Sequence, residues 1–169
     1  MSLDDCRDLY RDHEIACHSL THPHLNNLDL GGIAYQITHN RELLEDITHR
    51  PVEGFAYPYG LQEDVAGMVD CLRCCGLRYG RTTNATYRFD FPRDFMRWHP
   101  TCHHQAPRFD EMVRLFFQPD DIAHPWRIRS QLFYIWGHSY EFKNNWEAME
   151  KLCQAVGGKD EVWYATNGQ

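Results

Sequence analysis

Short apolar runs alternate with longer amphipathic ones along this chain, the pattern of parallel strands joined by helices. Six strands are predicted: Glu14 to Cys17, Gly54 to Tyr57, Leu77 to Arg81, Phe95 to Trp98, Leu132 to Trp136 and Glu161 to Ala165. The run Leu132 to Trp136 is the most apolar and reads as fully buried. A helix over Gly32 to Ile47 places Ile33, Ile37, Leu44 and Ile47 on one face. A second, over Gln62 to Cys75, carries Val65, Met68, Val69 and Leu72, with Gly76 as its C-terminal cap. Two later helices carry Phe109, Met112, Val113 and Phe116, then Trp146, Met149, Cys153 and Val156. Pro92, Pro100, Pro107 and Pro119 mark loops, and no repeat or low-complexity tract interrupts the pattern. The expectation is an α/β fold in a single domain over residues 1–169.

The polar residues gather where those strands end. His18-Ser19-Leu20-Thr21-His22 follows the first strand, Pro58-Tyr59-Gly60 the second, Thr82-Thr83-Asn84 the third and His99 to His104 the fourth. His138-Ser139-Tyr140-Glu141 and Thr166-Asn167 follow the last two. Carboxyl ends of parallel strands are where α/β folds bind ligands. Six strands fall short of the eight or so that close a barrel of this kind.

Composition narrows the function. With 17 Lys plus Arg against 24 Asp plus Glu, the net charge of -7 argues against nucleic acid or an anionic membrane as the main partner. No apolar run is long enough for a membrane span, and the opening residues lack the pattern of a signal peptide. A cytoplasmic chain is expected, with export still open if an N-terminal segment is missing. Seven scattered cysteines point to reduced thiols rather than to a disulfide framework. Eleven histidines are the unusual feature.

His18 and His22, four apart, can face one zinc or a similar divalent ion, and Pro23 stops the segment from continuing as a regular helix. Two histidines are an incomplete set, because a catalytic zinc usually has three protein ligands; solvent-exposed loop histidines are the plain alternative. His138, directly after the most apolar strand, is placed to act as a general acid or base, since imidazole titrates near neutrality. A histidine that only caps the strand end fits the same position, and Glu141 is close enough in sequence to orient it. Arg81, Arg97 and Trp98 at strand ends, with His103-His104 beyond, have the chemistry of a sugar cleft, although each alone is more often structural. Cys71, Cys74 and Cys75 lack a second cysteine pair at zinc-ribbon spacing and read as core packing. No P-loop, dinucleotide fingerprint or Gly-x-Ser-x-Gly elbow is present.

Taken in order, His18-Ser19-Leu20-Thr21-His22, Phe55-Ala56-Tyr57-Pro58-Tyr59-Gly60 and the strand-end His138 resemble the successive motifs of the polysaccharide deacetylase family, the NodB-like group or carbohydrate esterase family 4. HEIACHSLTHPHL at 13 to 25 resembles its histidine motif, and RWHPTCHH at 97 to 104, WGHSYEF at 136 to 142 and VWYATN at 162 to 167 resemble one of its subgroups. The resemblance implies a distorted (β/α) barrel that binds one divalent metal, commonly zinc, and removes acetyl groups from N- or O-acetylated carbohydrate. It assigns His18 and His22 to the metal, the backbone N–H of Tyr59 to the oxyanion, and His138 to protonation of the leaving group. Tyr57, Arg81, Arg97 and Trp98 become the substrate-binding candidates.

Two departures qualify that assignment. The family's Asp-Asp motif supplies the third metal ligand and the base from well upstream of the histidines, whereas Asp4-Asp5 stands too close to His18 to replace it. Ala56 occupies a place where many members carry arginine, and Arg81 is the expected substitute. The expected chain is therefore an incomplete barrel with its first strands missing, impaired in catalysis and open at a sheet edge that favours a homo-oligomer. The rival reading is a non-catalytic carbohydrate-binding or assembly module on the same fold. A metal-storage or sensing protein built on the histidines ranks behind both.

Overall fold

The computed structural model describes residues 3–61, 65–117 and 130–169. Helices and short parallel strands alternate as expected, and the chain divides into two compact units. Unit 1 comprises Met1–Thr83, Pro92–Trp98 and Tyr164–Gln169; unit 2 comprises Asn84–Phe91 and His99–Trp163.

Unit 1 holds helix α1 (Leu3–Leu9), helix α2 (Leu30–Thr48), strand β1 (Gly54–Ala56), helix α3 (Met68–Cys74) and strand β2 (Tyr79–Arg81). Asp29 caps α2 by accepting from the Gly32 N–H at 2.7 Å. The predicted apolar stripe delivers Ile33 and Ile37 to the core, with Leu44 packed against it. α3 ends in a full Schellman motif: Leu77 N–H donates to Leu72 O and Gly76 N–H to Arg73 O, with Gly76 at φ +84°. The predicted start of that helix at Gln62 lies outside the described residues. Strands β1 and β2 pair in parallel, Phe55 opposite Gly80, and single bridges add Cys17 beside Phe55 and Trp98 beside Arg81. The predicted strand Glu14 to Cys17 thus contracts to one bridging residue. The core beneath comprises Cys17, Phe55, Tyr57, Met68, Leu72 and Met96 among others.

Phe95 to Trp98 is not a strand. Phe95–Arg97 forms a 3-10 turn, because the Asp94 carboxylate takes the Met96 N–H at 2.9 Å and offers the backbone a local alternative to a ladder. Only Trp98 remains extended enough to bridge.

Unit 2 holds strand β3 (Cys102–His103), helix α4 (Phe109–Phe116), strand β4 (Ile135–Trp136) and helix α5 (Trp146–Val156). β3 was not predicted; it pairs in parallel with β4, His103 opposite Trp136. The predicted buried strand Leu132 to Trp136 is shorter and only half-buried. Its first residues bond elsewhere: Leu132 N–H donates to Phe89 O, and Tyr134 N–H to the Thr101 hydroxyl at 3.0 Å. The buried residues of unit 2 include Pro100, Cys102, Met112 and Phe142, and the rings of Phe89, Phe116 and Phe133 lie 5.2 to 5.6 Å from one another.

The predicted strand Glu161 to Ala165 does not form, and Trp163 stays 75% exposed. Among the described residues the sheets are two separate parallel pairs that do not close. All seven cysteines are free thiols; Cys71 and Cys75 pack on the unit 1 core, whereas Cys74 faces outward, against the core role predicted for it. Pro119 lies outside the described residues. No helix among the described residues is long and apolar enough to cross a membrane.

Candidate functional site

The histidine segment of unit 1 follows the Cys17 bridge and converges without being helical. Ser19 and His22 both take left-handed backbone, φ +65° and +56°, conformations that non-glycine residues hold only when the surroundings insist. The surroundings are visible. The Ser19 hydroxyl oxygen accepts the His22 N–H at 3.1 Å, Asn40 on α2 accepts the His18 N–H at 3.0 Å, and Gln36 accepts the Thr21 N–H at 2.9 Å. The outcome is that the Nε2 atoms of His18 and His22 face each other at 3.0 Å.

His18 Nδ1 lies 2.7 Å from the Ala56 carbonyl, an acceptor, so Nδ1 carries the ring proton and Nε2 presents its lone pair. This is how a metal-ligating histidine is usually oriented. Two imidazole nitrogens on one tetrahedral zinc, each at about 2.0–2.1 Å, stand about 3.3 Å apart, so the pair fits one ion after a slight widening and a shift of the His22 ring proton from Nε2 to Nδ1. Among the described residues no third His, Cys, Asp or Glu joins them. Asp4 is paired with Arg7 on its own helix instead.

The tyrosine turn sits against this pair. Gly60 N–H donates to Tyr57 O at 3.0 Å across Pro58 and Tyr59, and Tyr59 is left-handed at φ +59°, the type II pattern with proline second. The Tyr59 N–H takes no part in that bond. Its half-exposed ring stacks on His24 at 3.8 Å and meets His22 edge-on at 4.5 Å. Gly60 is required, because a Cβ there would stand 2.1 Å from the Thr83 hydroxyl oxygen.

The other unit 1 candidates make the following contacts. Tyr57 is buried in the core and its hydroxyl donates to Met96 O at 2.8 Å. Trp98 is buried, packed edge-on to Tyr79 and Phe95. Arg97 pairs with Asp94, and Arg81 sits on β2 with its carbonyl accepting the Tyr57 N–H at 3.0 Å.

In unit 2, His138 leaves β4 and opens a 3-10 turn, Ser139–Phe142, that brings Glu141 back onto it. Glu141 is the centre of a cluster that local spacing only half reveals. Its Oε2 accepts the His138 N–H at 2.9 Å and His104 Nε2–H at 2.7 Å, and lies 3.2 Å from His103 Nε2. Its Oε1 is 3.1 Å from His138 Nδ1. Partial burial works to raise this carboxyl, but the His138 N–H, the His104 and His138 rings and the charge of His103 outweigh it and hold it at about 2. His103 moves down, mainly because burial disfavours its charged form, against the opposing pull of Glu141. Since Glu141 accepts at His138 Nδ1, the His138 Nε2 is the ring nitrogen left to handle a proton, the arrangement of a carboxylate-oriented acid or base. His104, expected with His103 beside a sugar cleft, stacks on Phe142 at 4.4 Å. Gly137 makes room for it: a Cβ there would meet His104 Cδ2 at 2.2 Å.

Residues 4–80 match the model of the polysaccharide deacetylase family, and that segment contains His18, His22 and the tyrosine turn. Over that segment the match agrees with the resemblance read from the His18–His22 and Tyr57–Gly60 motifs. Among solved structures the chain is similar to the Streptococcus pyogenes deacetylase PplD in complex with acetate, at 16% identity and a TM-score of 0.46, covering 50% of this chain and 37% of that one. It is also similar to a polysaccharide deacetylase from Bacillus cereus, at 21% identity and a TM-score of 0.43, covering 50% of this chain and 26% of that one. The chain thus spans well under half the length of either structure. No curated protein sequence matches it.

Proposed function

We propose that this chain is a carbohydrate deacetylase domain of the NodB-like type, metal-dependent in design and impaired as these 169 residues stand. The observation that carries the reading is the pair of Nε2 atoms, His18 and His22, facing at 3.0 Å inside the segment that matches the family. A divalent metal, zinc by ligand type, would take those two nitrogens and supply Lewis-acid chemistry. Because no third ligand joins them among the described residues, no catalytic step is derived through it.

The chain's own residues have assignable work. The Tyr59 N–H donates to the oxyanion that forms when an acetyl carbonyl is attacked, a contribution of about 3 kcal/mol for one well-placed donor. His138, oriented by Glu141 at Nδ1, gives a proton from Nε2 to the departing amine or alcohol. Both units are read as parts of one family domain, an incomplete distorted barrel. Tyr57 and Trp98 support the floor rather than touch the sugar, while Arg81 and Arg97 remain the candidates for substrate hydroxyls. A homo-oligomer, formed across the open edges of the short sheets, and a cytoplasmic setting belong to the same reading.

Zinc-loaded protein incubated with an N- or O-acetylated oligosaccharide is expected to bind it, with NMR shifts at Tyr59 and His138, and to release no acetate above background. Metal-dependent acetate release, lost in His18→Ala, overturns the impairment. Sugar binding unchanged by chelator favours the non-catalytic module, and no sugar binding at all removes both readings.

A further inference from the structure

We propose that His103, His138 and Glu141 form a divalent-metal site in unit 2, of the two-imidazole, one-carboxylate type that takes zinc. One donor atom from each lies within 4.8 Å of the other two, the complete set of three that the His18–His22 pair lacks. The set draws on three short stretches. His103 ends β3, His138 stands two residues past its partner Trp136 on β4, and the 3-10 turn returns Glu141.

The surroundings resemble those of a built metal site. His104 and the His138 N–H both hold Glu141 Oε2, which fixes the carboxylate before a metal arrives. His104 itself is locked by its stack on Phe142 and by the absence of a Cβ at Gly137. The side chain of His138 is 41% exposed, which leaves a path from solvent and a position open for water.

Without metal, ring protons fill this space. His103 Nδ1 accepts the Gln105 N–H at 3.1 Å, so its proton sits on Nε2 and points to Glu141, as the His138 Nδ1 proton does. Metal entry exchanges tautomers without changing charge on either ring. The His103 proton moves to Nδ1 and the His138 proton to Nε2, freeing one lone pair on each ring for the ion beside the Glu141 carboxylate. Gln105 is exposed, so its N–H turns to water.

The site goes beyond the deacetylase reading and does not depend on it. One consequence does: a metal here takes the place of Glu141 at His138 Nδ1, so excess zinc would change the acidity of the Nε2 proton assigned to it.

The test uses the full chain as a His18→Ala/His22→Ala double variant, loaded with zinc, desalted and assayed by elemental mass spectrometry, with circular dichroism to verify folding. About one zinc per chain is expected to remain, falling to background when Glu141→Gln or His103→Gln is added. A folded double variant that retains none, or retention that neither substitution alters, overturns the proposal. Should the variants not fold, zinc titration of the unaltered chain followed by 15N signals of the histidine rings decides. Movement at His103 and His138 supports the site; movement confined to His18 and His22 overturns it. Zinc retention in the double variant does not bear on the deacetylase reading, which fails instead on sugar binding by the unaltered chain.

Discussion

The two histidine groups use the same side chain with different acceptors for their ring protons. In unit 1 a backbone carbonyl holds the proton of His18 at Nδ1 and turns the Nε2 lone pair toward its neighbour. In unit 2 the ring protons point inward, at a carboxylate that already accepts from three rings and one backbone N–H. The first arrangement must move one proton, the one His22 Nε2 donates to His18 Nε2, and is short of ligands. The second has the ligands but must move two protons to use them. What decides the chemistry of a histidine is therefore the acceptor on its other nitrogen, which spacing in the sequence does not display.

The strongest way to break the comparison is to add one methyl group to either region. Gly60→Ala must accommodate both φ +76° and a contact with Thr83, and Gly137→Ala must displace His104. Each is expected to cost about 2–3 kcal/mol, measured by urea unfolding. The sharper readout is zinc: Gly137→Ala should lose the unit 2 ion while His18 and His22 still respond to metal, and Gly60→Ala should do the reverse. If either substitution abolishes both responses, the two groups do not act separately.

Charge removal comes next. Glu141→Gln keeps the volume but removes the charge and one of the two acceptor oxygens that three rings share, with an expected loss of about 1–3 kcal/mol. Removing a single bond in unit 1, by Asn40→Ala at the His18 N–H, is expected to cost about 1 kcal/mol. The pH dependence distinguishes the two further. A carboxyl held at about 2 in the folded protein, against an ordinary value near ~4.3, adds stability that is full above that ordinary value and disappears as pH falls toward 2. Metal-free protein should therefore lose stability between about pH 4 and 2, and Glu141→Gln should flatten that loss. An unchanged acid limb in the variant would assign it to other carboxylates.

How far these regions were legible follows from how local their causes are. The α2 stripe of Ile33 and Ile37 and the Gly76 cap could be read directly, because periodicity and a left-handed glycine are properties of a few consecutive residues. His18 and His22 were found from their separation of four, yet they meet through a left-handed turn and not on a helix face. Phe95 to Trp98 was misread because a single aspartate at its start outcompeted its apolar pattern. β3 escaped notice since two residues carry no periodicity, and with it went the placement of His103. Glu141 could be paired with His138 by spacing, but His103 and His104 reach it across more than thirty residues, through a strand pairing that the sequence does not announce.

The finest test uses two cysteines that the fold places alike. Cys17 directly precedes His18, Cys102 directly precedes His103, and both are fully buried on strand bridges. Burial pushes the Cys17 thiol up to about 12 and the Cys102 thiol up to about 11, so neither reacts until its surroundings open. Alkylation followed by mass spectrometry then reports local opening at each histidine group separately. The exposed Cys74 and Cys153 should label first, giving an internal reference. Cys102 should precede Cys17, because the buried cluster around Cys17 includes Phe55, Tyr57 and Leu72, while few apolar residues described in unit 2 are fully buried. Zinc should then slow Cys102 more than Cys17, since a three-ligand ion stabilises the closed state more than an ion held by two. Equal slowing at both would remove the ranking of the two groups, and slowing at Cys17 alone would return the metal chemistry to the histidine pair.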